Sequence, residues 1–281
     1  GRVAARAHWD NLPARAGNRI IPRAAIMATR KWDVPSMSRQ SIVHCRFSAR
    51  DAVPLDCSRC GARELAVCAS LPAEEADSLE RYASSQQMPA NAVIVRSGQP
   101  CRQAYSVTSG MLRLVRTLPD ARRQVVGFAL PGHFVGLSEA GHYRHSIEAV
   151  VESSVCVFDL DDIRDLRKRH PQFEHTLLER ACREIDDAHD SMLLLARLSP
   201  LERLASFLLR LRQQMRIADA DPRLSLPMTR GDIADHLGLT IETVSRSFTR
   251  LREQGVIALP DPQHVEILDA KALDQLASAL K

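Results

Sequence analysis

Residues 228–255, MTRGDIADHLGLTIETVSRSFTRLREQG, admit very few local structures. Thr229 followed three residues later by Asp232 makes a capping box, with Asp standing where Glu or Gln is usual. Ile233, Ala234 and Leu237 give the first helix a buried side, Gly238 ends it, and Thr240 can cap the next. The stretch therefore reads as helix, short turn, helix. At about 100° per residue, Val244, Phe248 and Leu251 of the second helix share one side, and Glu242, Ser245, Arg246, Thr249 and Glu253 share the other. One side is core and the other is polar. A helix lying in the major groove of DNA reads bases with its N-terminal residues. Glu242 can accept from cytosine N4, Ser245 can touch thymine or its neighbour, and Arg246 can fork onto guanine O6 and N7. With Thr240 and Thr243 these form a candidate contact set for double-stranded DNA; the plainer alternative is a solvated polar helix face. VIALPDPQHVEIL, 256–268, adds two apolar runs around a Pro-Asp-Pro turn, the pattern of a hairpin wing.

Charge does not make this argument. The chain carries a formal +4, but residues 1–40 hold eight Arg or Lys against two acids, and the rest holds 30 basic against 32 acidic residues. The basic character belongs to a tail, 1–44, expected to be disordered. Translation upstream of a start at Met27 or Met37, or an Arg-rich transit peptide, would explain it. No apolar run approaches the roughly 18 residues of a membrane span, and no secretory h-region is present, so a cytoplasmic location with no membrane partner is expected.

The 281 residues, 45% apolar, suffice for about two domains. LPAEEADSLERYASSQQ, 71–87, has early acids and helical spacing and reads as a short amphipathic helix. From there to 168 short β-rich runs (AVIV, AYSVTSGMLRLVRTL, RQVVGFAL, SVCVFDL) alternate with Gly and Pro-Asp or Pro-Gly punctuation, which describes a small antiparallel barrel or roll over 71–168. Residues 169–198 turn helical, and Leu178, Ala181, Ile185, Ala188, Met192 and Leu195 recur at alternating steps of three and four. That seam fits a dimerisation helix, or a single helix packed on its own roll. Asp186, Asp187 and Asp190 beside it would bring like charges together in a dimer. Ser199-Pro200 starts a further segment, 199–281, containing the helix pair and wing. The fold class expected is α+β: an N-terminal β-roll, a long helix and a C-terminal winged helix-turn-helix.

Seven cysteines at uneven spacing in a reducing compartment favour metal or redox chemistry over disulfides. Cys57, Cys60 and Cys68 fall within a segment, 45–70, just ahead of the roll. Alone, Cys57 and Cys60 could be a zinc knuckle or a redox C-x-x-C, and Cys156 could be a buried small hydrophobe on a strand.

The order of roll, long helix and winged helix, together with TRGDIADHLGLTIETVSR and its E-T-V-S-R, resembles the Crp/Fnr family of bacterial transcription regulators over residues 55–270. The resemblance is to the Fnr branch, and implies that Glu242, Ser245 and Arg246 read TTGAT half-sites of a TTGAT-N4-ATCAA palindrome. It also implies a [4Fe-4S] cluster on Cys57, Cys60, Cys68 and Cys156, with C-x2-C-x7-C resembling a subgroup spacing, and with Cys45, Cys101 and Cys182 as non-ligands. Four thiolates suit such a cube. Further implications are a homodimer, a response to oxygen, and a contact to RNA polymerase from the hairpin TLPDARRQ, 117–124. A cyclic nucleotide, bound elsewhere in this family, is disfavoured because Leu137 and His145 stand where that pocket has Glu and Arg. A thiol-disulfide oxidoreductase rests on C-x-x-C alone and lacks the βαβ context. The expectation is a DNA-binding regulator, not an enzyme.

Overall fold

The computed structural model describes residues 57, 60–71, 80–138, 140–218 and 221–277. The expected basic tail and Cys45 lie outside the described residues.

Eight strands build the roll: β1 (Ala83–Met88), β2 (Val93–Val95), β3 (Gln103–Ser109), β4 (Leu112–Thr117), β5 (Arg123–Ala129), β6 (Phe134–Val135), β7 (Ser146–Ala149) and β8 (Ser153–Asp159). They form two antiparallel four-stranded sheets in the orders β1-β8-β3-β6 and β2-β7-β4-β5. Between them lie Met88, Tyr105, Val107, Leu112, Ile147, Val155 and Val157, all buried. One expectation is corrected here. The helix expected over 71–87 cannot extend past residue 82, because Ala83–Met88 is strand, paired from Ala83↔Phe158 to Met88↔Ser153. The backbone of β8, between β3 and this edge, needs hydrogen-bond partners on both sides, and that requirement overrides the helical spacing of Tyr82 and Ala83. Residues 72–79 of that stretch lie outside the described residues.

Helix formation also starts earlier than the spacing indicates. α1 (Leu160–Arg169) carries Asp161 and Asp162 in its first turn and Arg167, Lys168 and Arg169 in its last, in accord with the helix dipole. α2 (Pro171–Arg197) follows after a break at His170, with Pro171 opening it. Phe173 and Leu194 are its buried residues, whereas Leu178, Ile185, Met192 and Leu195 of the seam are exposed.

The last unit begins with α3 (Pro200–Gln214), capped by Ser199 in a full box with Glu202. α4 (Arg230–Leu237) has Thr229 at its N-cap in a box with Asp232, and Gly238 ends it in the left-handed conformation, φ 62°. α5 (Ile241–Glu253) is capped by Thr240. A three-stranded wing, order β10-β11-β9, joins β9 (Arg223–Ser225), β10 (Ile257–Asp261) and β11 (His264–Ile267), and α6 (Ala270–Ala277) follows. Leu204, Leu208, Leu211, Ile233, Leu237, Val244, Phe248 and Leu251 share one core here, which also takes in Met111, Leu130 and Val150 of the roll. Among the described residues no helix is long and apolar enough to cross a membrane.

Candidate nucleic-acid interface and cysteine site

On α5, Val244, Phe248 and Leu251 are buried, while Glu242, Ser245, Arg246 and Glu253 are exposed as its periodicity predicts, and Thr249 of the same side is half-buried. Thr240 Oγ1 accepts from the Thr243 backbone N–H at 3.2 Å, and the two hydroxyls lie 3.1 Å apart, so both threonines serve the cap. Ser245 Oγ donates back to the Ile241 carbonyl at 2.9 Å. Glu242 is held below the usual carboxylate range by its own backbone N–H, then the Thr240 hydroxyl, with Arg246 adding to them. The helix thus offers an anionic acceptor and a guanidinium side by side at its N-terminal end.

What holds this helix pair against the roll is a charge network that the sequence did not announce. Asp232, 3% exposed, receives Thr229 Oγ1 at 2.8 Å, Arg123 Nη1 at 2.9 Å and Arg113 Nη1 at 3.2 Å. Arg113 comes from β4 and Arg123 from β5. Arg113 also binds Glu148 at 2.9 Å, and Arg123 binds Asp235 at 2.8 Å. Although burial works against it, these donors hold the Asp232 carboxyl below its ordinary pKa. Asp at the cap, where Glu is usual, is therefore a shared ligand of cap and roll. Beside it the His236 ring lies 3.0 Å from the Val125 carbonyl, packed on Phe128 and Phe207, and burial lowers its pKa. Gln124 Nε2 donates to the His236 carbonyl at 3.3 Å. So Arg123 and Gln124 of the 117–124 hairpin are engaged within the chain, and residues 117–122 are exposed.

The four candidate cysteine ligands are brought into one neighbourhood. Two short 3-10 turns, Arg63–Leu65 and Val67–Ser70, fold the cysteine segment over β8 and α2. Cys57 and Cys156 join Val67, Leu71, Phe134, Phe158 and Phe173 in a buried cluster, with Cys68 packed against it. The Cys57 backbone N–H donates to Glu80 Oε1 at 3.0 Å. The Cys156 thiol is pushed up to about 12, by burial first and then by Cys68, Cys60 and Cys57. Cys57 is also raised to about 12, by burial first and then by Cys68, Glu80 and Cys60. Such thiols are poor as bare thiolates, but a bound cationic centre deprotonates its ligands, so this donor set fits an iron-sulfur group chemically. Among the described residues no three His, Cys, Asp or Glu side chains form a group that could hold a single metal ion. Cys101 Sγ donates to the Gly136 carbonyl at 3.0 Å, and Cys182 is exposed; all six described cysteines are free thiols.

The seam residues Leu178, Ala181, Ile185, Ala188, Met192 and Leu195 stay exposed along one flank of α2. The like-charge expectation beside them is altered: Arg210 of α3 pairs with Asp190 at 3.3 Å and Asp187 at 3.7 Å, so two of the three acids are balanced within the chain. In the roll, Tyr143 and Tyr105 are buried in the interior, and Tyr143 Oη donates to the Gln103 carbonyl at 2.8 Å. Leu137 is exposed, and burial followed by Arg116 and Arg144 lowers the pKa of His145.

A sensory-type β-roll joined by a long helix to a winged helix-turn-helix with an open polar reading face defines a DNA-binding transcription regulator. The comparisons agree. Residues 85–170 match the family model of the cyclic nucleotide-binding domain, and 202–276 that of the Crp-like helix-turn-helix domain. The nitrogen fixation regulation protein FixK of Bradyrhizobium diazoefficiens is 40% identical over 76% of this chain and 94% of its own length. The transcriptional activator protein FnrL of Cereibacter sphaeroides is 34% identical over 78% and 91%. The solved structure of FixK2 from Bradyrhizobium japonicum superposes with a TM-score of 0.65 at 32% identity, over 69% of this chain and 96% of that one. The chain belongs to the Crp/Fnr family of transcription regulators, whose members bind DNA rather than catalyse a reaction.

Proposed function

We propose that this regulator is an oxygen-responsive activator. Cys57, Cys60, Cys68 and Cys156 would hold a [4Fe-4S] cluster, and the cluster-loaded chain would pair through α2 as a cytoplasmic homodimer on TTGAT-N4-ATCAA-like palindromes. The observation that carries this reading is the convergence of three N-terminal thiols with Cys156 in one apolar neighbourhood packed against α2. When bound, the cluster supplies an oxidisable cross-link between the cysteine segment and β8. Cys60 and Cys68 are only half-buried, which leaves dioxygen a short path. The activator role follows that named for the relative FnrL, and the exposed hairpin tip, 117–122, is the surface offered to RNA polymerase. Iron and acid-labile sulfide analysis of protein purified without air tests the cofactor: four of each per chain is expected, and zinc or no metal would contradict it.

Two further outcomes belong to this reading. Arg246→Ala should lose discrimination at the G of TTGAT by about 1–3 kcal/mol, while keeping salt-dependent phosphate binding. Titration of single-base site variants at fixed salt measures this, and unchanged preference at that base pair would contradict the assigned orientation of α5. Ala188→Leu should strengthen the seam, because the small exposed Ala188 buries little area on pairing. Sedimentation after air exposure should then show more dimer than wild type; an equal fraction would place Ala188 outside the interface.

A further inference from the structure

The cysteine segment, the roll and α2 meet at one side chain. Arg180, on the roll-facing side of α2, donates through Nη1 to the Gly132 carbonyl at 2.6 Å and through Nη2 to the Leu65 carbonyl. Leu65 ends the first 3-10 turn, between Cys60 and Cys68. Gly132 lies in the turn between β5 and β6 with φ +91°, and a Cβ there would come within 2.5–2.8 Å of Leu65 Cβ, O and C. Glycine at 132 is thus what lets the cysteine turn lie flat on the roll, with two carbonyls close enough for one guanidinium to span. Arg180 Nε is buried without a hydrogen-bond partner, so these two carbonyls fix the orientation of the group. Its neighbour Ala181 belongs to the exposed seam, and Leu178 lies two residues before it.

We propose that Arg180 is the positioning residue through which the state of the cysteine segment reaches the pairing helix. With the segment seated, its guanidinium ties α2 to both the cysteine turn and the roll and sets the rotation at which Leu178, Ala181 and Ile185 face outward. When the segment lifts, the Leu65 carbonyl leaves and α2 loses one of its two anchors at that level. A carbonyl is an acceptor only, so the link depends on a two-pronged donor and not on charge alone.

This rests on the cluster reading in one respect, that ligand binding by the cysteines is what seats the segment. The test uses the full chain, wild type and Arg180→Met, which keeps a long stem without donors. Iron and sulfide content, visible absorption and sedimentation are measured without air and again after it, with hydrogen exchange followed over 61–71 and 176–185. Arg180→Met is expected to hold as much iron and sulfide as wild type and yet dimerise about tenfold more weakly without air, the loss of a charged donor. Its dimer fraction should change little on exposure, and Arg180→Lys should recover part of the response. A variant with intact cluster and the wild-type dimer response overturns the proposal. Should wild type hold no cluster, the proposed function falls, and the clamp is read by exchange alone: Arg180→Met must loosen both segments in the metal-free protein, and loosening of one or neither overturns it.

Discussion

Asp232→Ala is expected to lower the unfolding free energy by about 2–4 kcal/mol, combining a lost cap with lost charge-assisted hydrogen bonds. Asp232 is 3% exposed and the Arg113 side chain it neutralises 13% exposed; Arg113 keeps Glu148 and Arg123 keeps Asp235, but both lose the acceptor they share. The same substitution removes the N3 half of the cap on α4, whose Thr229 N–H and hydroxyl both donate to the carboxylate. Urea unfolding at neutral pH checks the magnitude. The pH dependence has a definite sign. The folded pKa of Asp232 is lowered, so its contribution is complete above the unfolded value of about 3.9 and fades as pH falls through the folded value. The gap between wild type and variant should therefore persist down to about pH 4 and close below it. A gap under about 1 kcal/mol at neutral pH, the value of an exposed pair, would mean that the network does not lock the helix pair to the roll.

The second large effect concerns the cysteines. Replacing Cys57, Cys60, Cys68 or Cys156 singly by Ala is expected to abolish cluster retention, whereas Cys45, Cys101 and Cys182 should tolerate Ala or Ser. Four ligands close a cube, and Cys57 and Cys156 of β8 share one buried cluster with Cys68 packed against it. Cys156 is the informative member: a cysteine in a strand, paired across from Ser85 and Ser106, is otherwise an ordinary small core residue. Cys101 hydrogen-bonds Gly136 and Cys182 points to solvent on α2, so neither can substitute for it. Iron and sulfide assays of the anaerobic variants decide this, and full iron in Cys156→Ala would remove β8 from the site.

The parts that could be read from the chain are those specified locally. The α4 and α5 boundaries follow from Thr229, Asp232, Gly238 and Thr240, all within twelve residues, and the structure places each in the role its chemistry suggests. The buried and exposed sides of α5 follow from periodicity alone. Long-range requirements were not legible. β1 lies in a stretch with helical spacing because β8 needs a partner at its edge. Arg113 and Arg123 meet Asp232 across separations of 119 and 109 residues, and no spacing rule connects them; the one visible signal was Asp where a capping box usually has Glu. The balance of Asp187 and Asp190 by Arg210 was equally hidden, since α3 folds back beside α2 only in three dimensions.

The most direct test of the account is the binding of the anaerobically purified chain to a duplex carrying TTGAT-N4-ATCAA, with the visible spectrum recorded on the same sample before and after air. The account predicts the brown visible chromophore of a four-thiolate iron-sulfur cube. Air should bleach it, with palindrome affinity falling about 5- to 150-fold, the range of a typical coupling between two sites. A colourless protein that binds the palindrome equally well before and after air would contradict it.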